Sequence, residues 1–136
     1  MRVAYNAISL HGPLTGIGQY ALQLALHLAK HEDLEMHMFY GAQFDRTIAQ
    51  RSSGVQPRFR QLVRKLIPRA YDIAMWRRQS SFTRGAKALQ FDLYHEPNFL
   101  AFEFDGPLVL TVHDLSWIRY PETHPKERGS TTSRAR

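Results

Sequence analysis

Two histidine–carboxylate steps and one glycine-rich loop are the parts of this 136-residue sequence with the means to do chemistry. His113 and Asp114 follow the apolar run Leu108-Val109-Leu110-Thr111-Val112, and His95 and Glu96 close the shorter run that begins at Phe91. An imidazole beside a carboxylate suits general acid–base work, hydrogen bonding to a sugar hydroxyl, or metal ligation. A structural hydrogen bond is the usual reason for a lone histidine at a strand end, and two such corners on one sheet edge argue for function. Gly12, Gly16 and Gly18 fall between a strand and a helix start, where N–H groups and the helix dipole favour an anion such as a diphosphate. The spacing is not that of the dinucleotide fingerprint, and a tight turn needing positive φ accounts for the same glycines. Two histidines and two carboxylates at unrelated spacings make a weak metal set. With no cysteine and no Asp-x-Asp in the chain, no metal and no cofactor is expected.

The elements that must position these residues read as α/β. Residues 2–5 start a strand, residues 19–30 form a helix, and Met36–Tyr40 form a second strand ended by Gly41. In that helix Gln19, Gln23, His27 and Lys30 make a polar stripe, with Tyr20, Ala21, Leu24, Ala25 and Leu28 opposite. Strand, glycine loop, helix, strand is a right-handed βαβ unit. Residues 42–57 read as loop. Phe59, Leu62, Val63, Leu66 and Ile67 have helical spacing up to Pro68, and two further helical pieces, 71–80 and 80–90, precede a short strand at 91–95. The run 108–112 has the composition of a strand buried on both faces of a parallel sheet, and ligand-contacting residues sit just past the carboxyl ends of such strands.

Hydrophobic residues make up 43% and charged residues 22% of the chain, a globular balance, and the length is that of one domain. No apolar stretch is long enough to span a bilayer, and the amino terminus does not read as a signal peptide. The net charge of +6 is unevenly placed. Between Arg46 and Lys87 eleven Lys or Arg residues meet one acid, Asp72, which leaves the remainder acidic. Arg58, Arg60, Arg64 and Lys65, opposite the apolar positions of their helix, are candidates for contact with an anionic membrane surface. A non-catalytic basic module binding nucleic acid or anionic membrane is the competing reading. No signature of a nucleic-acid-binding module supports the first of these partners.

Three segments, in order, resemble one family. The opening MRVAYNAISLHGPLTGIGQYALQLALHLAK is similar to the first strand, TGIGRY-like loop and long helix of group 1 retaining glycosyltransferases of the GT-B fold, with Gln19 where Arg is common. FDLYHEPNF resembles the family's D-x-x-H-x-P strand end, and LVLTVHDLSWIRYPETHPKER its T-x-H-D-L segment. The subgroup that fits is bacterial and mannosyltransferase-like, working in lipopolysaccharide or exopolysaccharide assembly. The resemblance implies a Rossmann-like parallel sheet with flanking helices, the acceptor-side half of a two-domain enzyme, over residues 1–128. Residues 129–136 are expected to be a disordered tail and the donor domain to be missing. The isolated chain is then expected not to turn over. By the same resemblance Gly16, Ile17 and Gly18 would approach the donor phosphates and His113 would hydrogen-bond the transferred sugar. Asp114 would orient the corner, and His95 and Glu96 would border the acceptor pocket. The implied partners are a nucleotide-sugar and a saccharide or lipid-linked acceptor. The implied location is cytoplasmic and peripheral at the inner membrane, without nucleic acid.

Overall fold

The computed structural model describes residues 1–49 and 70–120. Arg58, Arg60, Arg64 and Lys65, and the tail from 129, lie outside these residues.

Strand β1 (Arg2–Asn6) is almost wholly buried, yet its side chains alternate between two cores. Val3 and Tyr5 join Met36, Met38, Ala21 and Ala25 on one face of the sheet. Ala4 joins Phe39, Phe82, Tyr94 and Phe102 on the other. A strand covered on both sides can afford no exposed polar face, which explains its continuous apolar run.

Helix α1 (Gly16–Leu28) covers the first face, and Ala21 and Ala25 let it lie close to the strands. It begins three residues before the predicted start. Thr15 is its N-cap and accepts a bond from the Gly18 N–H at 3.3 Å, so Gly16 and Gly18 belong to the first turn rather than to a loop. In this loop only Gly12 has positive φ, at 81°. Gly18 is required for a different reason: a Cβ there would stand 2.9 Å from the Ser9 carbonyl oxygen. Tyr20, expected on the buried side of this helix, is exposed.

Strand β2 (Glu35–Phe39) runs parallel to β1, pairing Ala4 with His37. After Gly41, at φ 91°, the two-residue strand β3 (Phe44–Asp45) returns antiparallel to it. Residues 42–57 read as loop, and a strand this short leaves no periodic signal. Helix α2 (Ala70–Leu89) is one continuous 20-residue helix where two pieces meeting at Ser80 were expected. Ser80, Ser81 and Gly85 are poor helix formers, but tertiary packing overrides them. Phe82 fills the aromatic core, and Gly85 lets the Phe44 ring approach to where a Cβ would be 2.5 Å away. The helix stops at Gln90, which takes the left-handed conformation at φ 50°.

Strands β4 (Leu93–Glu96) and β5 (Leu108–Leu110) complete a sheet of order β3-β2-β1-β4-β5, parallel throughout except for β3. The expectation of a doubly buried strand at 108–112 is corrected here. Leu108, Val109 and Leu110 are 45, 44 and 42% exposed, because β5 is outermost and has one neighbour among the described residues. A four-residue helical turn, α3 (Ser116–Arg119), follows. Among the described residues no helix is long and apolar enough to cross a membrane.

Candidate functional site at the carboxyl edge of the sheet

The order of the strands determines where the site lies. The chain leaves β1 through α1 toward β2 on one side, while β4 and β5 lie on the other. Between β1 and β4 the connections diverge, and such a switch point leaves a crevice at the strands' carboxyl ends. Asn6 ends β1 and Glu96 ends β4.

Beneath that crevice is a closed polar network. Glu96, 1% exposed, accepts from the Asn6 amide at 2.6 Å and the Tyr94 hydroxyl at 2.5 Å through one oxygen, and from the Asn98 N–H at 3.0 Å through the other. Asn6 in turn accepts from the Ile8 N–H, and the Tyr94 hydroxyl from the Phe102 N–H. The network therefore joins the loops after β1 and β4. Burial pushes the Glu96 carboxyl up to about 7, although the donors from Tyr94, Asn6 and Asn98 oppose that shift. Burial likewise raises the Tyr94 phenol, and the neighbouring Glu96 charge raises it further. Tyr5 is raised first by burial; its hydroxyl donates to the Ala21 carbonyl at 2.7 Å and so ties β1 to α1.

Consecutive strand residues point to opposite faces, so His95 and Glu96 do not share a pocket wall. His95 lies on the α1 face, its ring 5.3 Å from that of Tyr5, and burial lowers its pKa and keeps it neutral at pH 7. Glu96 lies on the α2 face among its three donors. The two residues expected to border one pocket are thus divided between the wall and the floor of the corner.

His113, just past β5, is exposed. Its Nε2 lies 2.8 Å from the Pro97 carbonyl oxygen. A carbonyl can only accept, so Nε2 donates, and Nδ1 is the nitrogen left for a ligand. Tyr20 stands edge-on to the imidazole with ring centroids 5.0 Å apart, and its hydroxyl is 3.3 Å from the Thr111 hydroxyl. Tyr20 lies one turn along α1 from Gly16 and Ile17, whose N–H groups have no intrahelical acceptor. A Cβ on Gly16 would meet nothing within 4 Å, so the backbone there is open to approach. Asp114 binds the Ser116 N–H and hydroxyl, both at 2.7 Å, and so fixes the turn into α3. His113 thus meets α1 through Tyr20 and the end of β4 through Pro97, while His95 and Glu96 end β4 itself, on its two faces. Among the described residues no group of three or more His, Asp or Glu side chains is placed to hold a metal ion.

Asn6, Tyr94, Tyr20 and the Pro97 carbonyl are participants that the sequence reading missed. The two-residue step from Tyr94 to Glu96 on a strand was a usable signal for one shared face. The partnership with Asn6 was not, because it depends on β4 lying next to β1.

The arrangement defines an α/β protein with a Rossmann-like, mostly parallel sheet flanked by helices and a polar corner at its switch point. The chain is 33% identical, across 137 aligned positions, to the O-antigen chain mannosyltransferase B of Escherichia coli, a match covering 94% of this chain and 35% of the relative. The chain thus spans about a third of the length of the relative it matches. This likeness bears out the resemblance to a bacterial mannosyltransferase-like protein drawn from the three segments. No family model matches the chain, and no solved structure matches it.

Proposed function

We propose that this chain is the acceptor-side domain of a retaining glycosyltransferase of the GT-B kind. It would move mannose from a nucleotide-sugar to a saccharide or lipid-linked acceptor in cell-surface polysaccharide assembly. The observation that supports this most is the tethering of His113 to both sides of the crevice, by Pro97 after β4 and by Tyr20 on α1. A sugar in that corner would hydrogen-bond through a hydroxyl to His113 Nδ1, while Gly16, Ile17 and Gly18 would turn the positive end of α1 toward the donor diphosphate. His95, neutral and half-buried, would border the acceptor. Asp114 would hold the turn that carries His113, and Glu96 would keep the floor rigid. The leaving diphosphate would be stabilised by N–H dipoles and basic side chains rather than by a metal. The donor-binding half lies outside these residues, and the protein would work in the cytoplasm, peripheral to the inner membrane.

The test is a chimera that joins this chain to the unmatched part of the Escherichia coli relative, assayed with nucleotide-activated mannose and a lipid-linked acceptor. Transfer by the chimera and none by the isolated chain is expected. His113→Ala in the chimera should lower kcat about a hundredfold or more, as for loss of a group that acts in the transition state. A chimera that folds but is unaffected by His113→Ala would remove the assignment.

A further inference from the structure

Helix α2 shows the sheet one face and solvent another, and the solvent face has an unusual make-up. Ile73, Arg77, Ser80, Arg84 and Lys87 recur at steps of four and three residues and so form one stripe, with Trp76 at its margin. The opposite side carries Phe82 into the aromatic core with Met75 and Ala86 against it. Trp76 is 70% exposed and Ile73 50%, and Arg77, Arg84 and Lys87 are exposed as well. The helix holds one acid, Asp72, in its first turn. The ion pairs among the described residues all converge on Glu35, on β2, and none involves these three cations. Large apolar side chains left in water on a basic face mark a contact surface.

We infer that the outward face of α2 docks on an anionic phospholipid bilayer, with Ile73 and Trp76 entering the headgroup region and Arg77, Arg84 and Lys87 meeting lipid phosphates. Charge complementarity selects the occupant: the stripe itself carries three cations and no acid, Glu103 and Asp105 lie across a cavity from Lys87 alone, and Arg77 and Arg84 lead its attraction to a negative surface. Shape narrows it further. Single-stranded nucleic acid binds along grooves lined with successive stacking platforms. Here one indole stands on the convex side of a helix, which suits a broad, soft surface, and indole is at home at the bilayer interface. Arg2 Nη1 donates to the Leu89 carbonyl beside the start of β1, whereas Arg78 lies against Gly41 past the end of β2. The first turns of α2, with Ile73 and Trp76, therefore stand at the carboxyl edge of the sheet, the edge where the candidate site opens. A bilayer under α2 would lie beside that corner.

The inference rests on the peripheral association proposed above but places it on α2 instead of on Arg58, Arg60, Arg64 and Lys65. Co-sedimentation of the whole chain with phosphatidylcholine vesicles, with and without phosphatidylglycerol, tests it. Binding is expected only with phosphatidylglycerol and should weaken as salt is raised. Each cation near such a surface is worth about a factor of five in affinity, so R77Q/R84Q/K87Q should weaken binding about a hundredfold. The charge reversal R77E/R84E/K87E should abolish it, with circular dichroism unchanged in both variants. W76F should lose most of the blue shift in emission that phosphatidylglycerol vesicles cause. Equal binding to neutral vesicles would overturn the inference, as would full binding by the folded Gln variant. Tighter binding to an RNA oligomer or to polyglutamate than to the vesicles would overturn it in favour of another class of partner. Vesicle binding lost only on reversing Arg58, Arg60, Arg64 and Lys65 would remove α2 and leave the peripheral association standing.

Discussion

The β1–β4 seam and the β5 flank sit side by side on one sheet and have opposite characters. At the seam each polar group of Asn6, Tyr94 and Glu96 named above is sealed in and partnered. On the flank a histidine, an exposed tyrosine and a half-exposed apolar strand face outward. The contrast separates two jobs. A buried, satisfied network gives a rigid floor, and ligand-reaching groups need a wall that remains accessible. Substitutions on the floor should therefore cost stability, while those on the wall should leave stability alone and alter binding.

The aromatic cluster under the floor carries the largest expected effect. Phe82→Ala removes a ring packed on Phe39, Tyr94 and Phe102 and should lower unfolding free energy by about 3–5 kcal/mol in urea titration. Tyr94→Phe comes next. It takes a donor from Glu96 and leaves the Phe102 N–H without its acceptor, for a loss of about 1–3 kcal/mol.

The pH dependence sharpens the comparison. Glu96 has a folded pKa of about 7 against an ordinary 4.5, so the folded chain holds that proton more tightly than the unfolded one. Its contribution is then fully present below pH 4.5 and is lost as pH rises through about 7, a swing of roughly 3 kcal/mol. Glu96→Gln should flatten this slope in melts between those pH values. Its amide would also face the Asn98 N–H, so an offset in stability of about 1–3 kcal/mol is expected as well.

Wall substitutions should be much milder. His113→Ala and Tyr20→Phe, at exposed positions, should each stay within about 0.5 kcal/mol of the parent. The smallest effect is expected from Ser9→Ala. The Ser9 hydroxyl is buried and has no partner among the described residues, so removing it should be neutral or slightly stabilising in the same titration.

Strand and helix alternation carried much of the fold. β1, β2 and β4 fall within two residues of their predicted positions because apolar runs bounded by turn residues constrain them well. The misreadings have separate physical causes. Gly16 and Gly18 read as loop residues, but the Thr15 cap starts a helix around them. Residues 71–80 and 80–90 read as two helical pieces, but packing of Phe82 carries one helix through Ser80. Leu108 to Leu110 has the composition of an interior strand, and composition does not report strand order. Order also decided the site. His113 and the glycine turn were legible as strand-end and helix-start residues. Asn6 meets Glu96 across 90 residues of chain, a partnership that local spacing cannot reveal.

Tyr20 emerges early, yet the hydroxyl it meets belongs to Thr111, 91 residues later. While the chain is still being made, the Tyr20 hydroxyl has no Thr111 to meet. The corner around His113 is thus among the last parts to close, well after the first core can assemble, and a ribosome pause before β5 would prolong that unfinished state.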